Sequence, residues 1–272
     1  IRDYGISAAG QALGIPATVT VSGAAAYNNS YEASSVQAFA AAGDPSLLRV
    51  AQVDYVKPEQ MQSQEFGYRG KLSRTFTVDA AVYRNDFQDF INTQVVLSPL
   101  YGEVGDGGLS VLAMANGDFE TWSSYTNSPA EISSWGISIG AQTKIFGNFD
   151  LSANYTKSKL EFEQSLYPDF RTNWNTPEHK IKAQFGNTQL FENFGFNVAW
   201  RYWSEYLWQA SFGDGMVPET HVIDAQFNLT VPKWKSVIKV GATNLGGEEY
   251  FTAFGSGFIG TQYYISWTAN NF

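Results

Sequence analysis

From Glu131 to Ile145 the side chains change character at every step. Trp135, Ile137, Ile139 and Ala141 fall on one parity, and Ser134, Gly136, Ser138, Gly140, Gln142 and Lys144 on the other. Successive side chains of a β-strand point to opposite faces, so this segment reads as a strand with one apolar and one small, polar face. The pattern recurs. Phe149, Leu151, Ala153 and Tyr155 oppose Asp150, Ser152, Asn154 and Thr156, and Ile181, Ala183 and Phe185 oppose Lys182, Gln184 and Gly186. Phe194, Phe196, Val198, Trp200 and Tyr202 oppose Gly195, Asn197, Ala199 and Arg201. The segments Ile223 to Val231, Ile238 to Thr243 and Thr75 to Val82 follow the same rule. Several run to about 10 residues, whereas strands of soluble proteins run to about 5–6. A tilted strand crossing a bilayer needs about 9–11.

The chemistry of the polar parity narrows the choice further. A soluble β-sandwich also alternates, but its outer face meets bulk water and carries many Lys and Glu. Here that face is mostly Ser, Gly, Asn, Gln and Thr. Lipid gives the backbone no hydrogen-bond partner, so a sheet spans it only when closed into a barrel, apolar parity outward and polar parity toward the lumen. The predicted fold is therefore all-β, a transmembrane antiparallel β-barrel. A soluble all-β carbohydrate-binding module and a small passive barrel complete in itself remain as alternatives.

The connections alternate in length as well. Short turns are expected at Gly70–Arg74, Phe146–Asn148, Asn187–Asn193 and Pro232–Lys235. Long stretches lie between them at Asn92–Ala130, Lys159–Pro177, Ser204–Thr220 and Leu245–Gly260, rich in turn dipeptides such as Asp106-Gly107 and Asn116-Gly117. Short periplasmic turns alternating with long extracellular loops are the habit of outer-membrane barrels. Residues 64–272 are expected to hold about nine spanning strands. Residues 1–63 read as an extracellular loop region with room for a strand at Ala17–Val21 and a helix-compatible, Ala-rich stretch at Ser34–Ala42. The chain opens on Ile1-Arg2-Asp3-Tyr4 without Met or a leader, so a piece of a longer polypeptide is expected.

Composition excludes several functions. Seventeen basic against 26 acidic residues give a net charge of −9, which phosphate backbones would repel, so nucleic acid is not an expected partner. There is no Cys, and His179 and His221 are the only histidines, so thiolate sites, a His cage and a Ser-His-Asp triad are disfavoured. No cofactor and no enzymatic activity are expected.

With the strands placed, a set of short motifs resembles the C-terminal part of the barrel of TonB-dependent outer-membrane receptors. Lys57-Pro58-Glu59 followed by Gln64-Glu65-Phe66-Gly67-Tyr68-Arg69-Gly70 is similar to that family's stretch at the start of a strand. So are Tyr83-Arg84-Asn85-Asp86-Phe87, Pro177-Glu178-His179-Lys180, and Gly241-Ala242-Thr243-Asn244-Leu245 with Glu249-Tyr250. Ile259 to Ser266, with Phe272 at the terminus, resembles the closing strand, and Gly255-Ser256-Gly257 resembles receptors of the Bacteroidetes lineage. The resemblance implies energised uptake of a scarce nutrient: a ferric siderophore, cobalamin, or an oligosaccharide or peptide. It also implies a Gram-negative outer membrane, a larger barrel of about 22 strands, and a plug and TonB-contacting segment that this sequence lacks. The implied partners are the TonB system, outer-membrane lipid, the barrel-assembly machinery (which would read Phe272) and a surface lipoprotein over the loops. Phe272 departs from the family pattern, because Tyr263, Ile265, Trp267 and Ala269 share the other parity; a bulge at Asn270-Asn271 would restore it.

For substrate contact the candidates are Trp203, Tyr206, Trp208 and Phe212, since aromatic faces stack on sugars or flat chelates. The competing reading places strand-end Trp and Tyr in the interfacial girdle. Trp122, Tyr125, Tyr167 and Trp174 are weaker candidates on other loops. Lys144, Lys182, Arg201 and Asp224 read either as contacts to a plug or anionic substrate or as a ladder of paired charges along the lumen wall. His179 reads as structural, without a metal. Glu161 with Glu163, and Glu248 with Glu249, are loop acids rather than a glycosidase pair.

Overall fold

The computed structural model describes residues 1–210 and 212–269. From the N-terminus come β1 (Arg2–Gly5), α1 (Ala8–Ala12), β2 (Thr18–Val21), α2 (Ala25–Asn28), β3 (Tyr31–Glu32) and α3 (Ala33–Ala42). Two long strands follow, β4 (Gln60–Lys71) and β5 (Thr77–Gln88), then β6 (Ile91–Pro99), α4 (Leu109–Asn116) and β7 (Phe119–Asn127). β8 (Ile132–Ile145) and β9 (Phe149–Glu161) precede the short β10 (Phe170–Arg171). The rest comprises β11 (His179–Phe191), β12 (Phe194–Trp203), β13 (Tyr206–Ala210), β14 (Gly213–Val217), β15 (Thr220–Val231), β16 (Ser236–Thr243) and β17 (Gln262–Ala269). Contacts divide the chain into two units that it enters and leaves repeatedly.

The first unit gathers residues 1–61, 87–132 and 162–173. Its centre is β6, which pairs with β7 along its whole length and offers its other edge to β3 and β10. The apolar side of α3 packs Val36 and Phe39 onto Tyr31, Leu97 and Met114. Ile6, Leu100, Tyr101 and Ala113 make a second cluster, and Ala26, Ala51, Val53 and Val96 a third. Helix starts leave amide donors without intrahelical partners, and a distant carboxylate answers this at both α1 and α3. Asp118 accepts from Ser7 N and Oγ, each at 2.8 Å, and Asp169 accepts from Ser34 N and Oγ, each at 2.7 Å. Gly43, at φ 69°, ends α3 in the left-handed conformation that glycine tolerates.

The second unit, residues 62–86, 133–161 and 174–272, is built on one nine-stranded sheet. The strand order is β17-β16-β15-β12-β11-β9-β8-β5-β4, so successive strands of the sheet lie side by side in chain order. Among the described residues β4 and β17 pair on one side only. The links β4–β5, β8–β9, β11–β12 and β15–β16 are short. Between β8 and β9, Ile145 faces Phe149 across a turn in which Phe146 and Gly147 have φ 48° and 90°. The expected turn at Asn187–Asn193 is shorter than the sequence suggested. β11 continues to Phe191 through a register shift after Asn187, whose Oδ1 accepts from Gln189 N, and only Glu192 and Asn193 turn.

Register aligns the parities across the sheet. Phe196, Phe227, Val240 and Ile265 form one row, and Leu151, Phe185, Val198, Ala225, Ala242 and Tyr263 another. Gln142, Ser152, Gln184, Ala199 and Asp224 form a row on the opposite face. The apolar rows are largely exposed. Phe227 is 54% exposed, Val240 49% and Ile265 77%, while the three buried apolar clusters all belong to the first unit. Uncovered apolar area costs about 25 cal/mol per Å2 in water, so a face this broad requires another apolar phase. Hydrocarbon supplies it, and seven of the nine strands, at 10 to 14 residues, reach the length a bilayer crossing needs. Phe272 and the expected bulge at Asn270-Asn271 lie outside the described residues.

Charge placed on the two faces should therefore act differently. Phe227→Arg is expected to destabilise the lipid-embedded barrel by about 2–4 kcal/mol, and the adjacent Gln226→Arg by less than about 1 kcal/mol. Unfolding in lipid vesicles followed by heat-modifiable mobility measures both; equal effects would contradict the facial assignment.

Candidate functional site

Three of the four aromatic candidates converge. Trp203 ends β12, and Tyr206 and Trp208 belong to β13, with which β14 forms a hairpin in the connection to β15. Together with Lys180, Lys182 and Arg201 they line a cleft of about 330 Å3. Parity explains how Trp203 reaches it. Lys180 pairs with Trp203 and Lys182 with Arg201, so all four lie on the polar face of the sheet. The interfacial-girdle reading fits Trp200, on the apolar parity with His221 stacked on its ring; Tyr202 shares that parity, tilted against His221, and also lines the cleft. It does not fit Trp203.

The hairpin is held by backbone and aromatic contacts. Asn175, at φ 46°, donates through Nδ2 to Gln209 O at 2.9 Å and accepts from Gln209 N at 2.7 Å. Tyr206 donates its hydroxyl to Thr252 O at 2.7 Å, and burial raises the phenol above its ordinary pKa. Trp203 meets Tyr250 edge to face at 5.5 Å. The ring of Phe254 lies flat against Gly215, where a Cβ would overlap it. Phe212 stands apart from the cleft: its ring covers Gly255 and is 71% exposed.

The charges sort into paired and unpaired. Arg201 Nη2 meets Asp224 Oδ2 at 2.8 Å, Asp224 Oδ1 also accepts from Asn244 N, and Lys144 Nζ meets Asp150 Oδ1 at 2.8 Å. These pairs match the ladder reading. Among the described residues Lys180 and Lys182 have no ion pair, which leaves two cationic groups beside three rings. Such a wall can stack a flat ligand and neutralise negative charge on it.

The remaining candidates have structural partners. Trp122 packs on the Ala26–Val96 cluster, Tyr125 is an exposed residue of β7, Tyr167 lies against Phe162 and Phe170, and Trp174 O accepts from Thr176 Oγ1. His179 Nδ1 is 2.8 Å from Tyr155 Oη. Glu161 accepts from Ser133 Oγ and Glu163 from Ser165 Oγ, Glu248 O accepts from Asn244 Nδ2, and Glu249 lies against Gly260. Among the described residues no three His, Asp or Glu side chains converge as a metal site. Sequence reasoning missed Lys180, Asn175 and Thr252. The parity that groups Lys180 with Lys182 was visible, whereas the hairpin that brings Asn175 and Thr252 to the cleft leaves no periodic trace.

A broad antiparallel sheet with a bare apolar face, a polar opposite face and folded long connections defines a transmembrane β-barrel wall. The family model described as TonB dependent receptor-like, beta-barrel matches residues 16–245, and the chain belongs to that family. A search of curated proteins gave no match. Solved structures share the fold. The FrpB iron transporter from Neisseria meningitidis (F3-3 variant) aligns at TM-score 0.55 and 12% identity, covering 79% of this chain and 32% of that one. The siderophore receptor PiuA from Acinetobacter baumannii aligns at 0.51 and 18%, covering 74% and 26%. The ferric yersiniabactin uptake receptor FyuA from Yersinia pestis aligns at 0.52 and 13%, covering 76% and 28%. The chain thus spans about a quarter to a third of the solved proteins it matches.

Gly215→Val is expected to expel the Phe254 ring from the hairpin. Limited proteolysis should then cut within residues 246–260 at least tenfold faster, in rough proportion to the opened population, while heat-modifiable barrel mobility stays unchanged. An unaltered cleavage rate would remove Phe254 as the latch.

Proposed function

We propose that this chain forms wall and outer loops of a TonB-dependent receptor in a Gram-negative outer membrane, importing a scarce nutrient whose first contact includes the aromatic cleft. The observation that carries this is the position of Trp203 on the polar face, beside Tyr206, Trp208 and two cations that have no ion pair among the described residues. A residue serving only the membrane interface has no reason to face away from lipid. The cargo best suited to the cleft is negatively charged and presents aromatic ring faces, as a tris-catecholate ferric siderophore does; cobalamin and neutral oligosaccharides leave Lys180 and Lys182 unused.

Energy from the inner membrane, delivered by TonB to a plug outside this chain, would drive release. This part supplies orientation and electrostatic attraction only. The barrel-assembly machinery would engage the C-terminus at Phe272, and a surface lipoprotein could cover the long connections.

The test is binding by the full-length receptor in detergent, with ferric catecholate, ferric hydroxamate, cobalamin and neutral oligosaccharides as probes. Trp203→Ala with Trp208→Ala should weaken binding of an anionic ferric probe at least about tenfold, since each stacked ring is worth about 1 kcal/mol. Lys182→Gln should weaken it and flatten its salt dependence. Unchanged affinity in both variants would reject the cleft as the contact site.

A further inference from the structure

Charge on the lipid-facing parity of the nine-stranded sheet gathers at one end of the strands. On β9 that parity runs Leu151, Ala153, Tyr155 and then Lys157, Lys159 and Glu161. On β5 it runs Val78, Ala80, Val82 and then Arg84 and Asp86. β8 and β11 bring Trp135 and His179 to the same level, since Trp135 pairs with Lys159 and His179 with Lys157. Toward the other ends of these strands the same parity holds Val78, Ile145, Phe149 and Phe185, all uncharged. An aromatic girdle alone accounts for Trp135 and Tyr155 at a membrane interface. It does not account for the cations, which a lipid face tolerates only at headgroup depth.

The order along the strands is informative. Outward, toward the long connections, β5 and β9 both read apolar, then cation, then acid. Most of these charges are consumed internally. Arg84 Nη2 meets Asp86 Oδ1 at 3.0 Å, and Lys157 Nζ meets Glu178 Oε1 at 3.1 Å while lying 5.1 Å from the centre of the Trp135 ring. His179 is fixed through Nδ1 to Tyr155 Oη at 2.8 Å, its ring stacked on the phenol. Lys159 is exposed and has no ion pair among the described residues, so it is the cation open to a ligand. Glu161 stands about 7 Å further out, two residues along the strand, and repels an anion that moves outward from Lys159. Negative charge directly above hydrocarbon, and not beyond it, is what a phosphate on an acyl lipid offers.

We propose that the outer ends of β8, β9 and β11 hold an acyl lipid by its phosphate, with the phosphate at Lys159 and a chain laid along Ile139, Tyr155 and Ile181. Register supports the apolar track: Ile139 and Ile181 both pair with Tyr155, which places the three side chains in one row directly below Lys157. Ile139 is 48% exposed and so open to a chain. The site lies on the opposite face of the sheet from Trp203. It depends only on which face meets lipid, so failure of the cargo reading leaves it standing.

Equilibrium binding of fluorescent phosphatidate, and of diacylglycerol with the same chains and label, to the full-length receptor in neutral detergent tests this. Phosphatidate should bind at least about fivefold more tightly than the uncharged lipid. Lys159→Gln should remove about fivefold of that preference and Lys159→Arg should keep it. Lys239→Gln, the same loss of charge on the polar face, should leave it unchanged. Excess inorganic phosphate at matched ionic strength should fail to displace the lipid, which separates a lipid headgroup from a free phosphate as the occupant. Heat-modifiable mobility shows that each variant is folded. Equal binding of the two lipids, displacement by inorganic phosphate, indifference to Lys159→Gln, or an equal loss in Lys159→Arg or Lys239→Gln overturns the proposal.

Discussion

Everything in the nine-stranded sheet follows from one mismatch: a broad apolar face left largely exposed. Water cannot be the solvent of rows such as Phe196, Phe227, Val240 and Ile265 without a large free-energy cost. Hydrocarbon can, but it forbids unpaired backbone groups, and ladder pairing between long strands answers that constraint. The same constraint accounts for the sparse charge and for a polar face of small residues. Gly241 lies on that face, where the Tyr264 ring would overlap an added Cβ, and so does Gly186, where the backbone of β12 would. It also explains why the buried apolar clusters lie elsewhere. The first unit is stabilised by an ordinary core, and the sheet by its surroundings.

The alternation from Glu131 to Val231 placed β8, β9, β11, β12 and β15 because period-two patterning is local, and one wrong parity would put a Lys into lipid. Ala17–Val21 and Ser34–Ala42 were also legible, through β-branched residues and an alanine run closed by Gly43; they became β2 and α3. Their assembly was not legible. Residues 1–61 pack with two later segments through contacts such as Ser7 to Asp118 and Ser34 to Asp169, separated by 111 and 135 positions. Single Ser–Asp pairs at that distance have no signature in sequence. The β11–β12 turn was misjudged for a related reason: Asn187 and Asn193 look like turn residues, but Asn187 still pairs with Phe196 and the irregularity between Asn187 and Phe191 lies within the strand.

The candidate site divides along the same line. Trp203, Tyr206 and Trp208 stood out as aromatic residues at a strand end, and parity already separated Trp203 from Trp200 and Tyr202. Phe212 belonged to the same cluster in sequence but not in space, because the hairpin directs it onto Gly255. Sequence neighbourhood overstates convergence wherever a hairpin reverses the chain. What distinguishes Arg201 from the two lysines is invisible in sequence: Arg201 reaches Asp224 diagonally across the β12–β15 pair, whereas Lys180 lies opposite Trp203 and Thr156 and Lys182 opposite Arg201 and Asn154.

Around Trp203 the acid is already paired to Arg201, and among the described residues Lys180 and Lys182 have no ion pair. An ion pair formed within the protein removes that residue from the recognition surface and leaves its unpaired neighbours to set the sign. Recognition at such a wall would therefore turn on which charges are consumed internally rather than on their raw count, while the net charge of −9 governs only the long-range field.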